Sequence, residues 1–169
     1  MEEKFMKEAL KQAKKAASIG ETPIGAVIVR DGEIIARGYN KRETKKNALL
    51  HAEIIAINKA CKKIGGWRLP RCEMYVTLEP CPMCAGAIIN SRIENVYFGA
   101  YDKKSGCAGS VINLFESGMF NHNVNVTGGI MEDKCASILT EFFRELRKKN
   151  RLFFILQFIY RCNIINFKG

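Results

Sequence analysis

Several features that would point to other kinds of protein are missing from this chain of 169 residues. It has no second Cys-x-x-Cys pair, which a fully cysteine-ligated structural zinc site requires. Its seven cysteines are an odd number and follow no secretory leader, so a reducing cytoplasm fits better than a disulfide framework. No apolar run reaches the roughly 20 residues that a membrane-spanning helix needs. Without an internal repeat or an interdomain linker, this length predicts one domain with a full hydrophobic core.

Acidic residues are few relative to basic ones. The chain has 17 Asp and Glu against 27 Lys and Arg, which gives a formal net charge of +10. Such an excess favours a polyanionic partner, first a nucleic acid and second an anionic membrane. A generally basic proteome would produce the same balance, so charge alone does not decide the function.

Two short motifs carry residues that can bind a metal: HAE at 51–53 and PCPMC at 80–84. Cys81 and Cys84 are spaced to share one face at the start of a helix, where the helix dipole favours the thiolate form. His51 opens a second segment with helical periodicity. The two helix starts are therefore expected to converge on one metal.

The number of ligands separates two kinds of zinc site. Three protein ligands leave a position open for water, as in catalytic sites, and Glu53 can then serve as the acid or base beside the metal. The alternative is a structural zinc knuckle, in which Glu53 has no evident role. Its fourth ligand would be Cys72, Cys107 or His122.

Hydrophobic periodicity predicts an α/β domain with three layers, α/β/α, in which helices cover a mixed central sheet of about five strands. An Asp31-Gly32 pair between two apolar runs predicts a hairpin. The predicted strands are 24–29, 33–36, 73–78, 95–100 and 124–127, and the predicted helices are 2–18, 51–65, a segment beginning at Cys81, and 132–149. We place the domain at 1–151. Residues 152–169 form an atypical apolar tail, which suits an added strand, an oligomer contact or an aggregation-prone end.

With these motifs in view, the chain resembles the bacterial tRNA adenosine deaminases of the cytidine deaminase superfamily, from about residue 5 to 149. The zinc-type H-x-E and P-C-x-x-C pattern is typical of nucleobase deaminases. The resemblance is carried by PIGAV (23–27), GYN (38–40), HAEI (51–54), TLEPCPMCAGA (77–87), FGAYDKKSGCAGS (98–110), NH (121–122) and FFR (142–144). A proline common before the family's histidine is absent from 47–50, and the apolar tail replaces a usually polar end.

The resemblance implies a cytidine-deaminase-like fold and hydrolytic deamination of the wobble adenosine to inosine in a tRNA anticodon loop. It implies one Zn²⁺ per subunit on His51, Cys81 and Cys84, with Glu53 as the catalytic acid and base, in a cytoplasmic homodimer. The substrate-binding residues it implies are Ile24, Asn40, Ala52, Pro80, Asp102, Phe143 and Arg144.

Each implied substrate contact also has an ordinary structural interpretation. Asn40 and Asp102 suit turns, and Ile24 suits a strand core. Phe143 and its neighbour Phe142 suit a helix core, and the basic cluster from Arg144 to Arg151 suits a solvated helix face. Glu79 and His122 are expected to be structural.

Two other functions remain open from the sequence. A small-molecule deaminase acting on cytidine, cytosine, guanine or dCMP would share the zinc motif. A non-enzymatic RNA-binding protein stabilised by zinc would share the charge. Segment 98–110 disfavours the first, and Glu53 with the open ligand position disfavours the second.

Overall fold

The computed structural model describes residues 2–116, 118 and 120–165, with side chains up to Arg151. The helices and strands follow the chain in the order α1 (Glu2–Ser18), β1 (Gly25–Arg30), β2 (Glu33–Tyr39), α2 (Ala52–Ile64), β3 (Cys72–Leu78), α3 (Pro82–Asn90), β4 (Asn95–Ala100), β5 (Asn125–Thr127) and α4 (Glu132–Ile165).

The strands form one mixed sheet in the order β2-β1-β3-β4-β5. Strand β1 is antiparallel to both β2 and β3, whereas β3, β4 and β5 are parallel to one another. The parallel pair β3 and β4 is joined through α3, because parallel neighbours need a crossover connection. The predicted five-stranded mixed sheet is confirmed.

Helices cover both faces of this sheet. Along β1, Ala26 and Ile28 point into the core beneath α2 and α3, while Val27 and Val29 pack with Phe5 of α1 on the other face. Helix α4 joins α1 on that second face, where Cys135 packs against Met6 and Ala9. Alternating strand residues thus fill two apolar layers, and the three-layer α/β/α architecture is confirmed.

The predicted hairpin forms at Asp31-Gly32. Both residues have positive φ, 51° and 78°, the combination that a two-residue type I′ turn requires. The turn pairs Arg30 with Glu33 and sends β2 back along β1. As a result, β2 ends at the same edge of the sheet where β1 begins.

Gly38 in β2 lets α2 lie unusually close to the sheet. A Cβ at this position would collide with the carbonyl oxygen of Ala52 in the first turn of α2. Only glycine permits this approach, and the approach fixes the start of α2 beside the end of β2.

One predicted boundary is wrong. The last helix was expected to end at 149, but its backbone stays helical to Ile165. An added strand is therefore wrong for 152–165. The apolar face that marks 132–149 gives way to a nearly uniform apolar run, and such a run has no helical period to detect. The side chains of the tail lie outside the described residues, so the boundary between the domain and the tail at residue 151 stays a prediction.

Within the described part of the chain, no helix combines the length and apolarity needed to cross a membrane.

Candidate active site

Two helix starts meet at one edge of the sheet. His51 is the N-cap residue of α2, and Cys81 is the N-cap residue of α3, which has a proline in its first turn. Proline is tolerated there because the first backbone N–H groups of a helix have no internal partner. Both helices therefore direct the positive ends of their dipoles toward the same place.

The three predicted ligands lie together. The Nδ1 atom of His51 is 3.7 Å from Sγ of Cys81 and 3.6 Å from Sγ of Cys84. Their ligand atoms all lie within 4.8 Å of one another, in a group that could hold a metal ion. We call His51, Cys81 and Cys84 the metal group. The sequence-predicted convergence of the two motifs is thus present in the structure.

The side chains of the metal group influence each other's protonation. Hydrogen bonds from Cys84 and His51 lower the pKa of Cys81 to about 4, despite its partial burial. The same contact with Cys81 raises the pKa of His51, and donation to Cys81 raises the pKa of Cys84. The group therefore already holds one thiolate at neutral pH, and a thiolate is the form that binds metals.

Glu53 lies in the first turn of α2, next to the metal group. Its side chain is buried, and Oε2 has no hydrogen-bond partner among the described residues. Burial raises the pKa of Glu53 above its ordinary value, and the nearby Cys81 thiolate adds to this effect. A buried carboxyl oxygen without a protein partner is unusual, because desolvation is costly unless something binds the group.

The three residues that could complete a structural zinc site are engaged elsewhere. Cys72 is buried in the main core at the start of β3, and Sγ of Cys107 donates to the carbonyl of Ser105. Nε2 of His122 lies 2.8 Å from the carbonyl oxygen of Ile93. None of them belongs to the metal group found among the described residues.

Five of the predicted substrate-binding residues lie around the same edge. Ile24 precedes β1, Asn40 follows β2, Pro80 follows β3 and Asp102 follows β4, while Ala52 begins α2. Since β2, β3 and β4 end where β1 begins, all of these positions lie at the same end of the sheet as the metal group.

The local contacts of these residues differ. Asn40 is 4% exposed, and its backbone N–H donates to the carbonyl of Ile24 at 3.1 Å. Asp102 is half-buried, and its carboxylate accepts the backbone N–H groups of Lys104 and Ser105, which is the turn-forming role weighed above. Pro80 is buried, and its carbonyl accepts the N–H of Cys107 at 2.9 Å.

Phe143 and Arg144 lie farther along the chain, on α4. The start of α4 packs on the face of the sheet opposite α2 and α3. Phe142 lines a groove of about 410 Å³ against α1, whereas Phe143 is 40% exposed. The two rings pack edge to face, with centroids 5.4 Å apart, and Phe143 is the more exposed of the pair. Arg144 lies 3.7 Å from the carboxylate of Glu145.

Two buried carboxylates border the site, and sequence reasoning did not assign either of them to it. Glu79 is 2% exposed and accepts the backbone N–H groups of Asp102, Ala108 and Ser110, at 2.9 to 3.1 Å, together with the Ser110 hydroxyl. Glu21 is fully buried and accepts from the segment that follows β2. Burial alone would raise the pKa of each, but these hydrogen bonds outweigh it and leave both pKa values lowered.

Comparison with known proteins agrees with this geometry. A family model of MafB19-like deaminases matches residues 1–147. The chain is 55% identical over 150 residues to the tRNA-specific adenosine deaminase of Bacillus subtilis (strain 168), covering 89% of this chain and 93% of that relative. The chain belongs to the tRNA-specific adenosine deaminase family.

Solved structures extend the comparison to the fold of the family. A structure from studies of A-to-I editing by tRNA:A34 deaminases at the wobble position of transfer RNA matches with a TM-score of 0.77 and 44% identity, over 80% of this chain and 98% of that chain. The predicted cytidine-deaminase-like fold is thereby confirmed. A guanine deaminase from Bacillus subtilis also matches, with a TM-score of 0.57 and 45% identity over 59% of this chain and 64% of that chain.

Proposed function

We propose that this protein deaminates the wobble adenosine of a tRNA anticodon loop to inosine, with zinc bound by His51, Cys81 and Cys84 and with Glu53 as the acid and base. The observation that carries the proposal is the 55% identity to a tRNA-specific adenosine deaminase over nearly the full length of both proteins. The metal group and the buried Glu53 supply the chemistry that such a reaction needs.

The metal group fits zinc in both chemistry and spacing. Zinc accepts one imidazole and two thiolates, and bond lengths near 2.1 and 2.3 Å in a tetrahedral site place ligand nitrogen and sulfur about 3.6 Å apart. The two nitrogen–sulfur distances here are 3.6 and 3.7 Å. When bound, zinc lowers the pKa of a coordinated water and so makes a nucleophile available at neutral pH.

Glu53 handles the protons of the proposed reaction. Its carboxylate accepts a proton from water through Oε2, the atom that has no partner among the described residues. It passes that proton to N1 of adenine, which makes C6 electrophilic, and then transfers the second water proton to the amino group. The new C–O bond replaces the C–N bond, so adenosine and water give inosine and ammonia. The raised pKa of Glu53 suits a group that must both take and return a proton.

The residues around the edge would hold the base. Ile24 would pack against it, Asn40 would hydrogen-bond it, and Ala52 and Pro80 would line the pocket. Asp102 would contact the backbone of the flipped-out nucleotide. RNA loops present unstacked bases, which makes this extrusion comparatively inexpensive.

Contacts to the rest of the RNA would come from α4 and from the positive charge of the chain. Exposed Phe143 would stack against the loop, and Arg144 would bind phosphate. The net charge of +10 supports a polyanionic substrate. RNA binding through several phosphates should weaken steeply as salt rises, whereas turnover of a small neutral substrate should not. The homodimer and the cytoplasmic location stay predictions.

A second candidate is deamination of a free purine base, which the similarity to a guanine deaminase favours. Zinc-loaded protein can be assayed with an anticodon stem-loop carrying a wobble adenosine and, in parallel, with free guanine, cytosine and cytidine. Inosine in the RNA with no turnover of the small substrates supports the proposal. Turnover of a free base or nucleoside without inosine in the RNA would overturn it.

A further inference from the structure

Glu21 lies in the connection between α1 and β1 and is fully buried. Within the described residues, it makes no ion pair with a lysine or arginine. A carboxylate buried without a cation is costly unless hydrogen bonds replace its lost hydration. The hydrogen bonds of Glu21 therefore indicate what this residue does.

All three donors to Glu21 come from the segment between β2 and α2. Oε1 accepts the backbone N–H of Thr44 at 2.6 Å. Oε2 accepts the backbone N–H of Glu43 and the side-chain amide of Asn40, each at 3.2 Å. One carboxylate thus holds both the start and the middle of the loop 40–47, which continues through Leu50 into His51.

The contact with Asn40 determines which end of its amide faces Glu21. An ionised carboxylate can only accept hydrogen bonds, so the amide nitrogen must face it and the amide oxygen must face away. The pKa of Glu21 is lowered, since hydrogen bonds from Thr44 and Glu43 outweigh the effect of burial, and the carboxylate is ionised at neutral pH. The second amide hydrogen and the oxygen of Asn40 are left to meet a ligand at the edge of the sheet.

The loop that Glu21 holds is also rich in basic side chains. Arg42, Lys45 and Lys46 are exposed and Lys41 is partly buried. They flank the backbone N–H groups of Glu43 and Thr44, which point inward at the carboxylate. Without Glu21, two backbone donors and one side-chain donor would lose their acceptor inside the protein. The loop would then keep its own backbone hydrogen bonds, such as that from Lys41 to Leu50, but would lose its attachment to the connection between α1 and β1.

We infer that Glu21 is a positioning residue, which fixes the orientation of the Asn40 amide toward the substrate base and fastens the basic loop 40–47 beside the metal group. This inference rests on the proposed function, because it assigns Asn40 to the substrate. Glu21 acts through Asn40 and touches no reacting atom.

A double-mutant cycle tests the inference. Glu21→Gln keeps the size of the side chain but replaces one acceptor oxygen with a donor group. In an otherwise unaltered protein it should lower kcat/KM for the anticodon stem-loop by about tenfold or more. In an Asn40→Ala background the same change should cost less than about threefold, because Asn40 is already absent and only the attachment of the loop through Glu43 and Thr44 remains to be lost. Equal losses in the two backgrounds would overturn the inference.

Glu79→Gln is the matched control for this cycle. It alters another buried carboxylate, which also accepts hydrogen bonds from the backbone N–H groups of a loop. Strand β1 separates the end of β2 from the end of β3, which places Asn40 and Glu79 about 10 Å apart. The losses from Glu79→Gln and Asn40→Ala should therefore multiply independently. A coupling as strong as that of Glu21 would mean that any buried carboxylate gives the effect, and would overturn the inference.

Nuclear magnetic resonance of the Asn40 side-chain amide gives a readout that needs no substrate. Its two protons, identified by their loss in Asn40→Ala, should differ strongly in shift in the unaltered protein, with one protected from exchange. Glu21→Gln should bring the two proton shifts closer together and remove the protection from exchange, and unchanged resonances would overturn the inference.

If Glu21→Gln does not fold, the shorter Glu21→Asp replaces it in both measurements. If the resonances respond as expected but no RNA is deaminated, the proposed function fails and the positioning of Asn40 stands.

Discussion

Removing the Glu79 carboxylate should destabilise the protein by an amount that its contacts determine. The carboxylate accepts three backbone N–H groups, from Asp102, Ala108 and Ser110, and it is 2% exposed. A buried donor left without an acceptor costs about 1–3 kcal/mol, and because these three donors are only partly buried we take about 1–2 kcal/mol for each. Glu79→Ala should therefore lower the free energy of unfolding by about 3–6 kcal/mol, a large part of the roughly 5–15 kcal/mol that holds a typical domain.

Thermal unfolding provides the assay. For a chain of this size, 1 kcal/mol shifts Tm by about 2–4 °C, so Glu79→Ala should lower Tm by about 6–24 °C. Glu141→Gln, an exposed change on α4, should leave the free energy of unfolding within about 0.5 kcal/mol and serves as the control. A Tm for Glu79→Ala within 2 °C or so of the unaltered protein would refute the reasoning.

The contribution of Glu79 should also depend on pH. Because the folded protein lowers the pKa of Glu79 from an ordinary value of 4.5, its stabilisation is fully present above that value. It is lost as the pH falls through the lower folded pKa. The stability difference between the unaltered protein and Glu79→Gln should therefore be largest at neutral pH and shrink in acid. A difference that grows as the pH falls would contradict this assignment.

Three further changes test other parts of the site. Glu53→Ala should lower kcat by about 10³-fold or more, while metal analysis still finds one zinc per chain. Near-normal activity in this variant would exclude Glu53 as the acid and base. Cys84→Ser should weaken zinc binding by about tenfold or more in a competition titration with a chelator, and unchanged affinity would remove it from the ligand set. Gly38→Val should cost about 2 kcal/mol or more in urea unfolding, because its side chain would collide with the start of α2, and a neutral result would contradict the close approach.

The metal group was predictable because its signal is local. Each motif is a few residues long, and each lies where a helix begins, so residue type and spacing alone indicate the ligands and the neighbouring Glu53. The Asp31-Gly32 hairpin was predictable for the same reason, since a two-residue turn has its own sequence preference. The mixed sheet of about five strands was predictable from hydrophobic periodicity, whereas its strand order comes from the structure alone.

The roles of Glu21 and Glu79 were not predictable from the sequence. Glu21 accepts from residues 19 to 23 positions away, and Glu79 accepts from residues 23 to 31 positions away. A bond from a side chain to a distant backbone leaves no periodic pattern, and the donors can be any residue except proline. The length of α4 was missed for a different reason, because a uniformly apolar segment contains no helical period.

The most direct test of the proposed function is to locate inosine in a whole tRNA pool after incubation with the zinc-loaded protein. Inosine is copied as guanosine by reverse transcription, so sequencing reports every deaminated adenosine by its position. The proposal predicts conversion at wobble adenosines of anticodon loops, at no other position, and not with Glu53→Ala. Conversion spread over many loop adenosines, or none at the wobble position, would contradict it.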